Sequence, residues 1–199
     1  MNEYAGTDII IKSVSTDQEL MEILQLQKRN LAHVLSPEEV ISQGFVTVSH
    51  TLEILRLMHS RSPSLIAVSN QHVIGYALVM TDAHRNHLPV LEPMFRLLGE
   101  LEYDNSMISR YNYFVMGQVC IEKSFRGQGV FDRLYHGLRQ HLSGEFELLI
   151  TEVAARNQRS MHAHRRLGLQ TLYAYRDPAG EDWEILIWDW RKSVANASG

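Results

Sequence analysis

The spacing of apolar residues along the chain alternates between two periods, one typical of strands and one typical of helices. Short runs rich in β-branched and apolar residues predict seven strands, at residues 8–14, 65–68, 73–80, 113–121, 146–154, 169–175 and 182–190. Between them, apolar residues recur every three or four positions, in several cases behind a capping Ser, Thr or Asn, and this spacing predicts helices. The helices are expected to begin at about residues 17, 37, 51, 89, 130 and 158.

These elements predict one α/β domain over residues 8–192, built on a mixed sheet and followed by a frayed tail at 193–199. No internal repeat and no linker-like stretch interrupts the pattern. Residues 81–110 are long for a connection between two strands, and they carry a predicted helix between polar stretches. We predict an inserted helical segment there, which acts either as a lid over a binding site or as a covering helix.

Composition and charge narrow the class of protein. The chain has 199 residues, of which 45% are hydrophobic, and this is enough to bury a core. Its formal net charge of −4 argues against attraction of the whole surface to nucleic acid. Cys120 is the single cysteine, so no internal disulfide can form, which fits a reducing compartment. The first residues lack the pattern of a signal peptide and no apolar run approaches the ~20 residues of a membrane span, so we expect a soluble, cytoplasmic protein.

A short glycine-containing segment, Arg126-Gly127-Gln128-Gly129, separates a predicted strand from a predicted helix. Free N–H groups at a helix N-terminus favour anions, glycines let the backbone approach them, and Arg126 adds positive charge at the mouth. The segment is not a Walker A loop, because no Lys-Ser/Thr follows it. It is not a dinucleotide-binding fingerprint, because Asp132 stands where the third glycine belongs. Its residues alone are consistent with a pyrophosphate site or with a simple turn.

A second motif follows the glycine segment after one more strand, at residues Asn157, Ser160, His164 and Gly168. The order and spacing of the two motifs resemble the GNAT superfamily of acetyl-CoA-dependent N-acetyltransferases. The family motifs are Arg/Gln-x-x-Gly-x-Gly/Ala in the loop and Asn-x-x-Ala/Ser-x-x-x-Tyr/His-x-x-x-Gly-Phe in the helix. The chain departs from them at Phe131, where the loop motif has a small residue, and at Leu169, where the helix motif has Phe. Residues 113–168 carry the resemblance, and element order alone extends it to residues 9–80.

The resemblance implies a mixed, mostly antiparallel twisted sheet that is flanked by helices and splayed between its fourth and fifth strands. Acetyl-CoA would lie in the splay as cosubstrate, with its pantetheine arm on the backbone of Val119 and Ile121. The amides from Arg126 to Phe131 would hold its pyrophosphate. Asn157 would bond the cofactor or the neighbouring backbone, although a helix N-cap explains this residue equally well. The cofactor-binding residues implied in this way are Val119, Cys120, Ile121, Arg126, Gly127, Gln128, Gly129, Val130, Phe131, Asn157 and Ser160.

The implied reaction, transfer of an acetyl group to a primary amine by direct attack, needs a polarised thioester carbonyl and a base for the amine. A backbone N–H of Val119 or Cys120 could polarise the carbonyl. Glu152 is the predicted catalytic base, because an apolar strand raises the pKa of a carboxyl group. A salt bridge between Glu152 and a nearby arginine, or a base acting through water, are the alternatives.

The leaving thiolate needs a proton, and His164 is the predicted catalytic acid because histidine titrates near neutral pH. A histidine that packs on the helix face is the alternative for this residue, and Tyr173 and Tyr175 are further candidates. A covalent intermediate on Cys120 is disfavoured, because an unpaired strand cysteine is usually a small buried hydrophobe and no His-Asn partners accompany it.

Three further groups of residues leave their roles open. His84 and His87, like His162 and His164, lack other ligands at zinc spacings, so no metal is expected. Four arginines in and just before the last helix have three alternative roles, namely an ordinary solvated face, contact with the outer phosphate of the cofactor, or RNA binding. They are Arg156, Arg159, Arg165 and Arg166. Three tryptophans near the C-terminus belong to the core or to an oligomer contact: Trp183, Trp188 and Trp190.

The expected class is therefore an acyltransferase that transfers groups other than aminoacyl groups. Its expected acceptor is a small-molecule amine or a peptide amine. No nucleic acid and no membrane is expected as a partner, and a homodimer is left open. One alternative is a non-catalytic CoA-binding or protein-interaction module with the same fold, and another is an RNA-binding protein that uses the arginine helix.

Overall fold

The computed structural model describes residues 8–81 and 92–192, and within them seven strands form one sheet. The strands are β1 (Ile10–Ser13), β2 (Leu65–Ser69), β3 (His72–Met80), β4 (Tyr113–Ile121), β5 (Leu148–Ala154), β6 (Gln170–Arg176) and β7 (Asp182–Asp189). The helices are α1 (Asp17–Arg29), α2 (Pro37–Gln43), α3 (Leu52–Arg61), α4 (Glu92–Glu100), α5 (Val130–Leu142) and α6 (Gln158–Arg166). A separate two-stranded hairpin joins Glu102–Tyr103 to Ser106–Met107.

The strand order is β1-β2-β3-β4-β5-β7-β6, and every neighbouring pair is antiparallel except β4 and β5. The parallel ladder is short: it joins Tyr113, Phe114 and Val115 to Leu148, Leu149 and Ile150. Beyond Val115 the two strands diverge while each keeps its other neighbour. The mixed, mostly antiparallel sheet with a splay between its fourth and fifth strands is thus confirmed.

The two faces of the sheet carry two separate hydrophobic clusters, because successive side chains of a strand point to opposite sides. Helices α1, α3 and α4 cover one face, which we call the α1 face. Helices α5 and α6 cover the other, with Leu134, Leu138 and Met161 packed on it, and we call it the loop face. Alternation is visible in β5, where Leu148 and Ile150 belong to the first cluster and Leu149 and Val153 to the second.

Side-chain caps start the helices at the positions that the sequence indicated. Thr16 and Glu19 form a capping box at α1, and Ser36 and Glu39 form another at α2, where Pro37 is the first helical residue. Each cap stabilises its helix by about 1 kcal/mol. Helix α2 buries none of its residues, so polar contacts rather than a hydrophobic face hold it in place.

The predicted insertion is described in part. Residues 82–91, which include His84 and His87, lie outside the described residues. Helix α4 buries Met94, Phe95 and Leu98 in the cluster of the α1 face, so this part of the segment covers the core. The question of the tryptophans is resolved for two of them, because Trp188 and Trp190 are buried on the loop face.

Candidate active site

A cavity of about 450 Å³ opens on the loop face, beside the point where β4 and β5 diverge. The end of β4, the glycine segment, helix α6 and the segment after α2 supply its walls. We call residues 126–130 the glycine loop and residues 43–47 the α2 segment. A cavity of this size is typical of small-molecule and cofactor sites.

The glycine loop presents an uncapped helix end to this cavity. Gly127 and Gly129 have φ angles of 77° and 75°, a region that glycine enters without steric cost. Gly129 is the N-cap residue of α5, and no side chain caps this 13-residue helix. The N–H groups of the first turn are therefore left for another partner, and the helix dipole makes that position favourable for an anion. The side chain of Gln128 is used elsewhere, since its amide donates to the carbonyl of Ser124 at 2.9 Å.

Arg126 is a brace between segments rather than a charge pointing into the mouth of the loop. Its half-buried guanidinium donates to the carbonyl of Ile121 at 2.9 Å, to the carbonyl of Gln43 at 3.0 Å and to Oδ1 of Asn30 at 2.6 Å. These bonds tie the glycine loop to the end of α1 and to the α2 segment. Desolvation is the main reason why the pKa of Arg126 is lowered from its usual value.

The backbone N–H and C=O groups of β4 point alternately toward β3 and toward the splay. Glu122 N–H donates to the carbonyl of Ile74 on β3, and the ladder pairs Cys120 with Tyr76. Because hydrogen-bonded pairs alternate along an antiparallel ladder, the N–H and C=O groups of Val119 and Ile121 face the splay. The carbonyl of Ile121 is taken by Arg126, which leaves the backbone groups of Val119 and the N–H of Ile121. Cys120 turns its backbone toward β3, so the suggested use of its N–H to polarise a carbonyl in the splay is corrected in favour of Val119.

Asn157 caps α6 and also holds the α2 segment. Its Oδ1 accepts from Ser160 N–H at 3.3 Å, while its Nδ2 donates to the carbonyl of Phe45 at 3.1 Å. Gly44 packs so closely that a Cβ added to it would lie 2.9 Å from Asn157 Oδ1. Arg156 lies over the ring of Phe45 at 4.4 Å from its centroid. Asn157 and Ser160 both line the cavity, and the N-cap alternative for Asn157 is correct for its side-chain oxygen.

Phe131 does not close the glycine loop. Its ring stacks on Tyr135 with centroids 4.6 Å apart and meets His164 edge-on at 5.1 Å. Phe131 also lines the larger cavity beside Gly127 and Gly129, so the departure from the family motif places an aromatic ring at the wall of that cavity.

A smaller cavity of about 60 Å³ lies between the diverging parts of β4 and β5. It shares Val119, Asn157 and the α2 segment with the larger cavity, and Glu152 and Trp183 line it as well. The alternation along β5 turns Glu152 to the α1 face, opposite the glycine loop. The splay thus joins an uncapped helix end on one face to a carboxylate on the other.

Glu152 is held by a tyrosine from the edge of the sheet. The hydroxyl of Tyr175 on β6 donates to Glu152 Oε1, reaching past the intervening strand β7. Burial raises the pKa of Glu152, the Tyr175 hydrogen bond lowers it, and the nearby negative charge of Asp177 raises it. Among the described residues no arginine forms an ion pair with Glu152, so the salt-bridge alternative does not apply to them.

His164 does not suit the predicted role of catalytic acid. It is 1% exposed, and its Nδ1 lies 2.7 Å from the carbonyl of Ser160, which can only accept, so Nδ1 carries the proton. Its Nε2 lies 2.5 Å from the hydroxyl of Tyr135 and therefore accepts. Desolvation lowers the pKa of His164 to about 4, which leaves the ring neutral at pH 7 with its single N–H already engaged. The alternative of a packed, locally bonded histidine describes this geometry.

Two contributors to the site were missed by sequence reasoning. The α2 segment lines both cavities, and Asp177 acts on Glu152, yet both come from parts of the chain without a motif. Only the pairing of β6 with β7 and of β7 with β5 brings Asp177 near Glu152. No local signal in the sequence reports that proximity.

The remaining chemical alternatives find little support among the described residues. Burial raises the pKa of the Cys120 thiol to about 12, which keeps it protonated and unreactive at neutral pH. Three of the four arginines around α6 pair with carboxylates: Arg156 with Glu181, Arg165 with Glu184 and Arg166 with Asp132. Over residues 8–81 and 92–192, no group of three metal-ligating side chains comes together, and no helix combines the length and apolarity that crossing a bilayer demands.

The sequence profile of the acetyltransferase (GNAT) family matches residues 21–169, which include the splay, the glycine loop and α6. The chain belongs to the GNAT acetyltransferase family. It is therefore an acyltransferase, and the resemblance inferred from its two motifs is confirmed. A comparison with curated protein sequences finds no significant match.

Solved structures agree with the family in their fold. The ribosomal-protein-S18-alanine N-acetyltransferase of Escherichia coli superposes with a TM-score of 0.61 at 14% identity, covering 95% of this chain and 98% of that one. NAA60 of Arabidopsis thaliana, solved in complex with acetyl-CoA, gives 0.62 at 12% identity, covering 92% and 99%. The NatC complex bound to Gag peptide and CoA gives 0.62 at 13% identity, covering 92% and 98%. At these identities the likeness concerns the fold.

Proposed function

We propose that this GNAT acetyltransferase transfers an acetyl group from acetyl-CoA to a primary amine by direct nucleophilic attack. The observation that carries the proposal is the connection across the sheet. An uncapped helix end opens into a cofactor-sized cavity on the loop face, and the half-buried carboxylate of Glu152 faces the same splay from the α1 face. The cosubstrate would enter from one face and the amine from the other.

The glycine loop and β4 would bind the cosubstrate. The N–H groups at the start of α5 suit a pyrophosphate, and the outward backbone groups of Val119 suit the amides of a pantetheine arm. Gly127 and Gly129 provide the backbone conformation, and nothing lies within 4 Å of a Cβ added at either position. The residues present therefore fit acetyl-CoA.

Glu152 would act as the base. Its raised pKa makes it a better proton acceptor than an exposed carboxylate, and Tyr175 keeps its carboxylate oriented. The N–H of Val119 would stabilise the negative charge that develops on the thioester oxygen. When bound, acetyl-CoA supplies the activated acetyl group and a thiolate that leaves with the second proton of the amine. Direct attack is favoured over a covalent route because the Cys120 thiol stays protonated.

The acceptor would approach between the α2 segment and the turn that joins β6 to β7. Phe45, Trp183 and Tyr175 offer aromatic surface there, and Glu152 and Asp177 offer negative charge for an ammonium group. Two solved neighbours are named for a ribosomal-protein alanine and a bound peptide. A peptide amine is accordingly one acceptor class to test, beside small-molecule amines.

Cosubstrate binding is tested by calorimetric titration of the purified protein with acetyl-CoA, with desulfo-CoA as a companion ligand. We expect micromolar dissociation constants for the wild type. Gly129→Glu should weaken binding by more than about 100-fold, because its carboxylate would oppose the phosphates. Gly129→Ala controls for the cost of a side chain at positive φ and should bind more tightly than the glutamate variant. No binding at millimolar ligand would overturn the proposal.

Turnover is tested with a panel of small-molecule and peptide amines, with released thiol as the readout. Glu152→Gln should lower kcat/KM by about 10²- to 10⁴-fold for an acceptor that reacts, with little change in the dissociation constant of acetyl-CoA. Tight binding of acetyl-CoA without turnover on any amine would favour a non-catalytic module instead.

The organisation of the chain completes the proposal. We infer a single domain over residues 8–192 with an inserted segment at 81–110 and a tail at 193–199, acting in the cytoplasm without a metal. The suggested homodimer is tested by light scattering. Tyr173, which is exposed on the edge strand β6, is a candidate residue for its contact.

A further inference from the structure

Strand β4 carries a β-bulge at the point where it leaves β5. On the ladder with β3, Gln118 pairs with Leu78 and Met116 pairs with Val79, so Gly117 is an extra residue between the two pairs. Met116 packs on the loop face, and regular alternation would put the side chain two residues later on that face as well. The bulge reverses the alternation, and Gln118 instead bonds to side chains of α1 and β3 on the α1 face.

Two contacts hold this bulge in place. A Cβ added to Gly117 would lie 2.3 Å from Sδ of the fully buried Met80, so a larger residue would force the neighbour to move. From β5, the hydroxyl of Thr151 donates to the carbonyl of Met116 at 3.1 Å. The bulge is therefore a fixed feature of the sheet, and it places Gln118 at the wall of the smaller cavity.

The orientation of the Gln118 amide follows from bonds to backbone groups at both ends of a network. The backbone N–H of His50 can only donate, and it donates to the side-chain oxygen of Gln27 at 2.8 Å. The amide nitrogen of Gln27 therefore donates to Oε1 of Gln118 at 2.7 Å. At the other end, the amide nitrogen of Gln118 donates at 2.8 Å to the carbonyl of Val48, which can only accept. Both ends give the same assignment of oxygen and nitrogen in Gln118.

The oxygen of the Gln118 amide is saturated, whereas its nitrogen is not. Oε1 accepts from Gln27 and from the hydroxyl of Tyr76 at 2.6 Å, which occupies both of its lone pairs. Nε2 has two N–H groups, and the carbonyl of Val48 takes one of them. Over residues 8–81 and 92–192 the other N–H has no acceptor. Gln118 is only 8% exposed, so a donor left unpaired there is costly until a ligand accepts from it.

Gln118 and Glu152 line the smaller cavity from the two strands that diverge there. In the proposed reaction the acceptor amine lies beside Glu152, and the thioester oxygen lies at the N–H of Val119, the residue after Gln118. The remaining N–H of Gln118 therefore meets the part of the acceptor that adjoins the amine. An N–H can only donate, so the acceptor group that it favours there is an oxygen.

We propose that Gln118 determines acceptor specificity by donating its remaining N–H to a carbonyl oxygen one carbon away from the reacting amine. The preferred acceptors are then α-amino amides, including the free N-terminus of a peptide, rather than alkyl amines of the same size. This inference rests on the proposed function and narrows its acceptor class. A site built to bond a polar group rejects an analogue that lacks the group, because its own buried donor is then left unpaired.

The test compares kcat/KM for glycinamide and for isobutylamine, which share the same arrangement of non-hydrogen atoms but differ in the carbonyl and the amide nitrogen. The full chain is assayed at saturating acetyl-CoA as the wild type, Gln118→Met, Gln118→Glu and Tyr76→Phe. Dividing the glycinamide to isobutylamine ratio of each variant by that of the wild type cancels the different basicities of the two amines. Calorimetric titration with acetyl-CoA confirms that each variant is folded.

Gln118→Met should lower the ratio by about 10- to 100-fold, with most of the loss on glycinamide. Gln118→Glu keeps an oxygen for Gln27 and Tyr76 but has no N–H, so it should lower the ratio by a similar factor. Tyr76→Phe disturbs the same network and should lower Tm, yet it should keep the wild-type ratio because Gln27 and Val48 still orient the Gln118 amide.

The outcomes separate this inference from the proposed function, because isobutylamine reports acetyl transfer without a carbonyl contact. If the ratio stays at the wild-type value in both Gln118 variants, the specificity role is overturned while acetyl transfer stands. If Tyr76→Phe lowers the ratio as much as Gln118→Met does, the network acts through structure alone, and the inference is overturned as well. If the wild type binds acetyl-CoA but acetylates neither amine nor any peptide, both proposals are overturned.

Discussion

Tyr175 donates its hydroxyl proton to Glu152 from two strands away in the sheet, across β7. The bond links the edge strand of the sheet to the carboxylate at the splay. It also places Asp177, two residues farther along the chain, where its charge acts on the same carboxylate. The pKa of Glu152 therefore depends on its burial first and then on the hairpin of β6 and β7.

Two substitutions around Glu152 should move the pH dependence of catalysis in opposite directions. Tyr175→Phe removes a hydrogen bond that stabilises the carboxylate, so the pKa of Glu152 rises further. Asp177→Asn removes a negative charge, so the pKa falls. A base acts when deprotonated, so the rising limb of kcat/KM should move to higher pH in the first variant and to lower pH in the second.

A pH profile of kcat/KM with a fixed acceptor measures both shifts. Tyr173→Phe is the matched control, since Tyr173 stacks beside Tyr175 but is not bonded to Glu152. Shifts of the same sign in both variants would show that Glu152 is not the base.

The brace formed by Arg126 should contribute to stability and to the geometry of both cavities. Arg126→Ala leaves Asn30 Oδ1 and two carbonyls without their donor, which we expect to cost about 2 kcal/mol, or roughly 4–8 °C in Tm for a domain of this size. Arg126→Lys should restore little of this loss, because one ammonium group cannot reach three acceptors as the planar guanidinium does.

Differential scanning calorimetry and steady-state kinetics measure these effects. Because the brace joins the glycine loop to the α2 segment, KM should rise for the acceptor as well as for acetyl-CoA. Arg29→Ala is the control. It removes a neighbouring exposed ion pair with Glu122 and should lower the free energy of unfolding by less than about 1 kcal/mol. A lysine variant with wild-type stability and kinetics would contradict the role of the brace.

Asn157 has two functions that its two single substitutions should separate. Asn157→Asp keeps an acceptor for Ser160 N–H but loses the donor to the Phe45 carbonyl, whereas Asn157→Ala loses both. We expect the alanine variant to lose about 1 kcal/mol more stability, the value of an N-cap.

The KM for the acceptor should rise in both Asn157 variants, because both release the α2 segment. Thr51→Ala removes the N-cap of α3 away from the cavities, so it should lower stability without changing KM. Urea unfolding and initial rates give the two readouts. An aspartate variant with a wild-type KM would refute the link between Asn157 and the α2 segment.

Acid should destabilise the fold between pH 6.5 and pH 4 through two buried histidines. Burial lowers the pKa of His50 and of His164 to about 4. In the unfolded chain both histidines have a pKa of about 6.5 and bind protons below that pH. Stability that is present above pH 6.5 is therefore lost as the pH falls toward 4. At pH 5 the loss is about 2 kcal/mol for each residue.

Urea unfolding at a series of pH values tests this, with His50→Asn and His164→Asn as variants. Each should reduce the slope of unfolding free energy against pH in this window. If the slope survives both substitutions, other groups cause it. His164→Asn should in addition leave the pH profile of kcat/KM in place, since the single N–H of the ring is already bonded to the Ser160 carbonyl.

Much of the fold was readable from local patterns. The apolar runs of β3 and β4, the capping residues Thr16 and Ser36, and the glycines of the loop predicted elements close to those observed. Period and capping depend on residues a few positions apart, so the sequence displays them directly. The uncapped start of α5 was equally visible, because Gly129 has no side chain to cap it.

The roles of individual side chains were less accessible. His164 matched a motif position, but its hydrogen bonds to Tyr135 and to Ser160 depend on how α5 packs beside α6. Arg126 matched its motif too, yet its partners Asn30 and Gln43 lie more than 80 positions away in the chain. Spacing identified these residues as significant and left open what they touch.

The sequence by itself determined the strands, the helices, the glycine loop and the family, because each depends on short-range spacing or on the order of motifs. Only the tertiary structure decided the orientation of charge around the site. It placed Glu152 beside Tyr175, neutralised Arg165 and left Arg159 facing the cavity without a partner among the described residues. The physical reason is that hydrogen bonding and desolvation act between atoms that folding brings together, and such distances are not encoded in any local pattern.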